Sequence, residues 1–390
     1  MQWRWPTTGS IRFRRPAAAA ALLAAVAGSN LMSAAVDSRA RAAEPLSFWQ
    51  PVAVFGTDDR VALPGNYKPL GERIGVLFNI RLRTVCSAFC VAPGVIGTAA
   101  HCLFNTRGER PPKLADLWFA RNYDQVRDYA RIAGYETGAA AQNVIAGSFS
   151  LSTTPPIDAA QDWAFVRLSR PICSKGVFEI LSTSVEQIIR EANAGRVFQV
   201  SYHRDFKQWR PAYSKPCQVE RNFAGVSWST IAADFKSAEN LVLHTCDTGG
   251  ASSGSPLLLD APSGPKVIGI NVGTYVQSRV LSQFGKISEP VVSDTIANTG
   301  MTAAAFSAAL EEFKSARILG AVAPIRELQE RLQRAHFYSG PIDGTYGPAL
   351  KQAIDAYQSA AKLPQTGIAS EELLQRLRQT TGPISAQRPK

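Results

Sequence analysis

Short apolar runs separated by turn residues fill most of the chain between residues 48 and 298. Residues 74–80, 196–200 and 266–272 are examples, and Gly, Pro, Asn and Asp stand between such runs. Runs of this length fit β-strands, whereas helices need longer stretches with a 3.6-residue period. We therefore expect a mainly β domain, built as a sandwich or as a pair of barrels, and no doubly wound α/β sheet.

The pattern changes after residue 300, where apolar residues recur at helical spacing. The chain of 390 residues is long enough for one large domain and a smaller one. We place the β domain at residues 48–318, a linker at 319–323 and a small three-helix domain at 324–381. Residues 382–390 are expected to form a disordered tail.

The first 42 residues have the composition of an export signal. Four arginines precede an Ala- and Leu-rich run at residues 17–27, and small residues at 25–27 or 40–42 offer cleavage sites. The run is too short to span a bilayer, and no later segment is apolar for long enough. We expect removal of residues 1–42 and an exported chain, in the periplasm or outside the cell, without stable membrane insertion. The alternative is an uncleaved membrane anchor.

The net charge of +11 falls to +6 without this signal, which holds six Arg and one Asp. A modest positive charge favours residence near anionic polymers such as wall glycans. No basic run interleaved with aromatic residues indicates a nucleic-acid site. No His, Cys or carboxylate pair has the compact spacing of a metal site, so we expect no metal and no cofactor.

Three strings in the β region carry the residue types of nucleophilic catalysis. They are Thr-Ala-Ala-His-Cys at 98–102, Asp-Trp-Ala-Phe-Val at 162–166 and Ala-Ser-Ser-Gly-Ser-Pro at 251–256. Acyl transfer from an amide needs a hydroxyl nucleophile, an imidazole base and a carboxylate that holds the imidazole in one tautomer. The three strings contain all of these groups.

Residues 86–102 resemble the region around the catalytic His of trypsin-like serine peptidases. The Ser-Gly-Ser-Pro at 253–256 resembles the bacterial glutamyl-endopeptidase-like branch of that family. The resemblance covers roughly residues 70–300. It implies two six-stranded antiparallel β-barrels with the active site in the cleft between them.

The resemblance also assigns roles. It implies that His101 is the general base, Asp162 its orienting carboxylate and Ser253 the nucleophile, with the N–H groups of Ala251 and Ser253 as the oxyanion hole. Family members usually carry Gly where this chain has Ala251. Ser252 stands where trypsin-like zymogens carry the Asp that receives a newly cut amino terminus. We therefore expect activity that does not depend on such a cut.

Three residues are candidates for substrate binding. Asp247 has the offset before Ser253 of the acid that binds Lys or Arg side chains in trypsin-like enzymes, which predicts a basic preference. The alternative is a capping or turn residue. Thr248 corresponds to a substrate-contacting Thr of the glutamyl branch, and Asn271 stands where that branch has His, which argues against a Glu preference.

Residues 250–254 also match the Gly-x-Ser-x-Gly elbow of α/β-hydrolases, with Ser252 as nucleophile. That fold needs a catalytic His downstream, and only His336 qualifies. It lies in the predicted three-helix domain, and the β region lacks alternating strands and helices. We therefore reject this alternative.

Six cysteines in an exported chain indicate disulfides. The expected pairs are Cys86–Cys102, beside the string that contains His101, and Cys217–Cys246, ahead of the loop that contains Ser253. Cys90 and Cys173 either form a third pair or remain buried thiols.

Residues 323–380 resemble the peptidoglycan-binding-like domain found beside many bacterial wall enzymes. The resemblance rests on the helical string 325–332, the loop 338–348 with its Asp-Gly-x-Tyr-Gly motif, and residues 363–367. It implies affinity for wall peptide or glycan, with Asp343, Tyr346 and Gln358 as contacts. The alternative is a module that binds a protein or only packs on the barrel.

Together these features predict an exported serine endopeptidase that cleaves protein or peptide substrates through an acyl-enzyme and is targeted to peptidoglycan in the cell wall. A different class of function is a catalytically silent wall-binding scaffold with the same fold. An esterase that uses the same triad is a third alternative. No nucleic-acid partner is expected.

Overall fold

The structure is a computed structural model. It describes residues 53–81, 83–104, 113–123, 128–149, 151–152, 155–207, 210–279, 282–283, 286–287 and 292–379. The expected signal segment and the expected C-terminal tail lie outside these residues. Within the described ranges, no helix combines the length and apolarity needed to cross a bilayer.

The strands of the described residues fall into two large antiparallel sheets and one short hairpin. In chain order the strands are β1 (Val61–Ala62), β2 (Ile74–Asn79), β3 (Thr84–Ala92), β4 (Val95–Thr98), β5 (Leu117–Arg121), β6 (Tyr129–Arg131), β7 (Val144–Ala146), β8 (Ala164–Arg167), β9 (Val197–Ser201), β10 (Ala212–Ser214), β11 (Val219–Glu220), β12 (Leu241–His244), β13 (Pro256–Leu259), β14 (Lys266–Arg279), β15 (Ser282–Gln283), β16 (Lys286–Ile287) and β17 (Val292–Thr302).

The α-helices are fewer and concentrate at the C-terminus. They are α1 (Val185–Asn193), α2 (Trp228–Ala233), α3 (Ser307–Ser315), α4 (Val322–Arg334), α5 (Pro348–Ala360) and α6 (Glu371–Gln379). Short 3-10 turns lie at Gly65–Glu72, Ala100–Cys102, Leu114–Asp116, Ala139–Asn143, Ala159–Gln161, Ala238–Asn240 and Ala303–Ala305.

The first sheet closes on itself. Its strands follow the order β6-β5-β2-β3-β4-β8-β7. Ile132, directly after β6, forms an antiparallel bridge with Leu168, directly after β8, and the Ala133 N–H donates to the Arg167 carbonyl at 2.9 Å. These contacts join β6 to β8, so six strands form a closed ring and β7 is an additional partner of β8.

The second sheet closes through the continuity of the chain. Its order is β1-β10-β9-β13-β14-β17-β12-β11. β10 and β11 belong to one segment, residues 212–220, which pairs with β9 at one end and with β12 at the other. This bent segment completes a ring of six strands, and β1 adds to it at β10.

The mainly β fold, with two antiparallel barrels and a small helical domain, is therefore confirmed. The sheets contain seven and eight strands, rather than six each, because β7 and β1 add to the rings and the bent segment counts as two strands. Strand β8 shows why the apolar runs are continuous. Phe165 of β8 is fully buried and packs on Phe306 at 5.2 Å between ring centroids, since the segment leading into α3 covers that strand.

Helices α4, α5 and α6 pack around a separate apolar cluster that includes Leu328, Leu332, Ile354 and Leu374. Burial at every third or fourth residue of α4 matches the expected amphipathic pattern. α4 begins at Val322, inside the segment that we expected to be a linker. The large and small domains are therefore separated by less chain than the sequence indicated.

The small domain is joined to the barrels by backbone pairing as well as by the chain. Ile318 forms an antiparallel bridge with Ser370, and the Leu319 N–H donates to the Ala369 carbonyl at 2.9 Å. Ile368 is buried within the barrel core rather than in the helical cluster. The junction is thus a packed interface, which favours the alternative in which the module packs on the barrel.

Candidate active site

His101 and Asp162 are placed together by strand pairing. β4 and β8 are antiparallel neighbours, with Thr98 opposite Ala164. His101 lies in the 3-10 turn directly after β4, and Asp162 lies just before β8, so the two residues meet at the same end of the barrel. The Nδ1 atom of His101 lies 2.7 Å from Oδ2 of Asp162, and the His101 N–H donates to Oδ1 at 2.9 Å.

The electrostatics of the pair favour protonation of the imidazole. Burial lowers the pKa of His101, but the Asp162 carboxylate raises it through its charge and its hydrogen bond, and the net pKa lies above the ordinary value. A neutral His101 that donates Nδ1–H to Asp162 presents Nε2 as the proton acceptor. The arrangement is that of an oriented general base.

The serine loop reaches this corner from the second barrel. The Ser87 N–H, in β3, donates to the Ser253 carbonyl at 2.9 Å. Cys86, next to Ser87, forms a disulfide with Cys102, next to His101. Two short links therefore connect the backbone of Ser253 to the turn that carries His101. The structure brings all three triad candidates to one place.

No hydrogen bond joins the Ser253 hydroxyl to the imidazole among the described residues. The hydroxyl donates instead to the Val272 carbonyl at 3.3 Å. Ser253 is half-buried, whereas the neighbouring Ser252 is buried, and its hydroxyl accepts from the Asn271 amide at 3.4 Å. Of the two serines, Ser253 is the more exposed residue.

The turn before Ser253 presents two backbone donors. The Ser252 N–H donates to the Gly249 carbonyl at 3.1 Å, whereas the N–H groups of Ala251 and Ser253 have no protein acceptor among the described residues. The Ala251 carbonyl accepts from the Ser87 hydroxyl at 2.9 Å, which fixes the peptide plane between Ala251 and Ser252. Two unused N–H groups on either side of a bound one are suited to receive an oxyanion.

Two positions in this turn have left-handed backbone angles. Gly254 has φ +82°, and a Cβ there would overlap the Thr98 hydroxyl and the Ser87 carbonyl. Ala251 has φ +83°, where a side chain is strained. The structure therefore gives a reason why Gly suits the Ala251 position in the family that the sequence resembles.

Asp247 does not face outward. It is 2% exposed, and its two carboxylate oxygens accept the N–H groups of Phe55 at 2.8 Å and Asp59 at 2.9 Å. These contacts favour the alternative in which Asp247 has a structural role. The hypothesis of a basic preference carried by Asp247 is not supported by this geometry.

Thr248 is part of a polar cluster beside the serine loop. The Asn298 side chain donates from Nδ2 to the Cys246 carbonyl at 2.7 Å, which fixes its orientation. Its Oδ1 then accepts the hydroxyls of Thr248 at 3.1 Å and Thr274 at 2.9 Å. Both hydroxyl protons are used on Asn298, so the threonine oxygens have only lone pairs left to offer. No motif in the sequence singles out Asn298.

Asn271 and His244 form a second buried pair. The His244 Nε2 lies 3.1 Å from Asn271 Oδ1, and Asn271 Nδ2 donates to the Ser252 carbonyl at 3.3 Å. Burial lowers the pKa of His244 to about 4, although the Asn271 hydrogen bond opposes this. Asn271 is 2% exposed. It connects β14 to the serine loop, and its amide is not directed at a substrate.

The described residues contain three disulfides. They are Cys86–Cys102, Cys217–Cys246 and Cys90–Cys173. The first two are the pairs that we expected, and the third resolves the alternative left open for Cys90 and Cys173. In the described part, two groups bring one His and two Cys within 4.8 Å, around His101 and around His244. The sulfurs of both groups are in disulfides and offer no thiolate to a metal.

The three candidate wall contacts have internal partners. Gln358 is fully buried and hydrogen-bonds Thr366, Gly367 and Glu312. The Tyr346 hydroxyl donates to the Gly367 carbonyl at 2.7 Å. Asp343 accepts from Gln329 and from the Thr345 N–H. These side chains hold the loops of the module together. Gln358 is too buried to meet a ligand, whereas contact of the exposed Asp343 and the half-buried Tyr346 with the wall stays a prediction.

Residues 322–377 match the family described as "Putative peptidoglycan binding domain". This confirms the resemblance of the C-terminal module. A curated protein of Nostoc punctiforme, "Putative OxPP cycle protein OpcA", is 45% identical over 53 residues, which is 14% of this chain and 11% of that protein. The chain therefore spans about a tenth of the length of this relative.

Among solved structures, a Glu endopeptidase in complex with MPD is similar to this chain at 17% identity. The alignment covers 67% of this chain and 97% of that one, with a TM-score of 0.43. At this similarity the fold rests on the strand order described above and not on the likeness.

Proposed function

We propose that the chain is an exported serine endopeptidase with Ser253 as nucleophile, His101 as general base and Asp162 as its orienting carboxylate. The observation that carries this proposal is the doubly bonded His101–Asp162 pair beside a serine turn with two unused backbone N–H groups. An accessible hydroxyl, an oriented imidazole and paired N–H donors are the parts that acyl transfer requires.

The reaction begins when the Ser253 hydroxyl turns from the Val272 carbonyl toward His101. Nε2 takes the hydroxyl proton as Oγ attacks the peptide carbonyl, and Asp162 stabilises the imidazolium that forms. The N–H groups of Ala251 and Ser253 receive the developing oxyanion. The imidazolium then gives its proton to the leaving amine, and water, deprotonated by the same imidazole, hydrolyses the ester bond to Ser253.

The polar cluster around Asn298 indicates the preference of the cleavage site. Thr274 lies two residues after Val272, whose carbonyl holds the Ser253 hydroxyl. Thr274 is partly exposed, whereas Thr248 is buried. Because Thr274 offers only lone pairs, it favours a substrate side chain that donates hydrogen bonds over a carboxylate. A panel of peptides with Arg, Gln, Glu or Phe at the cleavage site tests this, and we expect the lowest turnover with Glu.

Labelling with a fluorophosphonate tests the proposed nucleophile. We expect the full chain to be labelled, and expect Ser253→Ala and His101→Ala to abolish labelling. Ser252→Ala is the matched control, because it removes the adjacent hydroxyl but leaves the proposed relay intact. Labelling that survives in Ser253→Ala would overturn the assignment. A folded wild-type chain that never reacts would favour the silent scaffold.

Substrate comparison separates the peptidase from the esterase. Hydrolysis of peptide amides that is lost in Ser253→Ala supports the endopeptidase, whereas turnover of acyl esters alone supports the alternative. The matched family of residues 322–377 and the three disulfides favour an extracytoplasmic setting and targeting to the cell wall. Retention of the full Ser253→Ala chain on purified wall sacculi, and its release by soluble wall fragments, tests the targeting.

A further inference from the structure

Residues 53–60 lie across the loop that leads into the serine turn, and we name them the N-terminal strap. We propose that the strap holds the oxyanion turn in its reactive shape, that Asp247 is the positioning residue through which it acts, and that a single cut in the strap switches the site off. This inference rests on the proposed function and concerns its regulation.

Three hydrogen bonds join backbone groups of the strap to the loop, two of them through the Asp247 side chain. The Asp247 carboxylate accepts the N–H groups of Phe55 and Asp59, one on each oxygen. The Thr248 N–H donates to the Ala53 carbonyl at 3.0 Å in an antiparallel bridge. An acidic side chain that accepts two backbone N–H groups while 2% exposed is costly to leave unpaired.

A charged anchor fixes the end of the strap. The Arg60 side chain is 3% exposed and forms ion pairs of 2.7 Å with Asp58 and with Asp205. This cluster packs directly on Gly249, where an added Cβ would overlap the Asp205 carboxylate and lie 2.8 Å from Nη1 of Arg60. Gly249 therefore has no room to move toward the strap.

Gly249 connects the strap to the reactive turn. Its N–H donates to Nδ1 of His203 at 3.0 Å, and its carbonyl accepts the Ser252 N–H at 3.1 Å. That second bond closes the turn that leaves the N–H groups of Ala251 and Ser253 unused. Loss of the strap would release Gly249 on one side, and the two donors would lose their fixed direction.

The strap contains an accessible cutting point between its two bound ends. Residues 56–58 are exposed, and Gly56 has φ +84° with open space around it. Phe55 before this bend and Asp59 after it both contact Asp247. A cut within the bend therefore separates the two N–H groups that share one carboxylate. In zymogen activation a cut raises activity. Here we expect a cut in the strap to lower activity, because the uncut strap holds the turn in its reactive shape.

An engineered cut tests the inference. The recognition sequence of a site-specific protease is inserted between Gly56 and Thr57 of the full chain, and the same sequence is inserted at Ser263 as the matched control. Residues 262–263 form an exposed turn after β13. The two readouts are the rate of fluorophosphonate labelling and amide hydrogen exchange of residues 247–253, each compared before and after cutting.

Cutting the strap is expected to slow labelling about 10- to 100-fold, as small misplacement of reacting groups does. Exchange of the loop amides should accelerate, and cutting at Ser263 should change neither readout. Unchanged labelling and unchanged exchange after the strap is cut would overturn the inference. If the wild-type chain without an insertion does not label at all, the proposed function fails, and the exchange measurement still decides whether the strap holds the loop.

Variants of Asp247 separate positioning from substrate binding. Asp247→Asn keeps one acceptor and Asp247→Ala keeps none, so we expect kcat to fall in both and further in Ala, with KM within about twofold of wild type. Asp260→Asn, an exposed carboxylate on the same barrel, is the control. A raised KM for basic substrates with unchanged kcat would instead make Asp247 a substrate-binding residue.

Discussion

The Asp162 carboxylate contacts His101 twice, through Nδ1 at 2.7 Å and through the backbone N–H at 2.9 Å. The first contact selects the tautomer of the imidazole, and the second fixes the turn on which the imidazole stands. A single carboxylate thus determines both the protonation and the position of the proposed base.

Asp162→Asn is expected to slow labelling and peptide hydrolysis by roughly 10³- to 10⁴-fold, because an amide can hold the imidazole in the wrong tautomer. The rate is measured with the fluorophosphonate at pH 7. Asp158→Asn is the control, since Asp158 lies in the same loop but pairs with Lys236 and the Ser152 N–H. Equal losses in both variants would contradict the specific role of Asp162.

The pH dependence of labelling reports the same contact. Only neutral His101 accepts a proton, so the wild-type rate should rise with pH through a pKa above the ordinary value of His. Without the Asp162 charge, burial alone acts on the ring, and the rising limb of Asp162→Asn should lie at lower pH. A limb that stays in place or moves upward would exclude Asp162 as the cause of the raised pKa.

Acid should destabilise the second barrel through two buried imidazoles. Burial, aided by the Arg60 charge, lowers the pKa of His203 to about 3, and burial lowers that of His244 to about 4. Both are neutral in the fold, so stability is complete above the unfolded pKa near 6.5 and falls below it, by up to about 1.4 kcal/mol per pH unit for each group.

Urea unfolding at pH 7, 6 and 5 measures this loss. His244→Gln keeps a donor toward Asn271 but cannot titrate, so its stability should fall less steeply with acid than that of wild type. His336→Gln, at an exposed position in the helical module, is the comparison for removal of a His outside the second barrel. Identical slopes in His244→Gln and wild type would show that His244 titrates normally in the fold.

Ala251→Gly should stabilise the protein slightly. A side chain at φ +83° costs about 1–2 kcal/mol, and the added freedom of Gly in the unfolded chain offsets about 0.4–1 kcal/mol. We expect a net gain of roughly 0.5–1 kcal/mol in thermal unfolding, with labelling at least as fast as wild type. Ala224→Gly, at φ +49° outside the site, is the comparison. A loss of stability at residue 251 only would show that the Ala251 methyl makes a favourable contact.

Gln358→Ala should destabilise the helical module by about 2–4 kcal/mol, because it leaves the N–H groups of Thr366 and Gly367 without their acceptor. Calorimetry of the full chain measures the effect. Gln375→Ala, on the exposed side of α6, should change stability little. A Gln358→Ala chain that has wild-type stability but no longer binds wall sacculi would instead indicate that Gln358 contacts the wall ligand.

The sequence predicts those features that local pattern determines. Short strands, the order of the His, Asp and Ser strings, and the helical period of the C-terminal module each depend on neighbouring residues. The disulfides Cys86–Cys102 and Cys217–Cys246 follow from their position beside these strings. Such features need no knowledge of what lies across the fold.

The roles of Asp247 and Gln358 depend on partners far away along the chain. The N–H groups that Asp247 accepts come from residues 55 and 59, and the Glu312 that meets Gln358 belongs to another domain. A carboxylate or an amide looks the same in sequence whether it faces a ligand or a backbone donor. For the same reason the sequence does not single out Ser87 and Asn298. Both are ordinary strand residues whose contacts are with residues far away along the chain.

The bridge between Ile318 and Ser370, with Ile368 buried in the barrel core, makes the junction to the helical module a packed contact and not a flexible linker. An active site on a flexible linker can reach any point that the length of the linker allows. The packed junction instead gives the proposed active site one distance and one orientation relative to a polymer that the module would bind. Only substrate bonds at that distance from the bound polymer would then come within reach of Ser253.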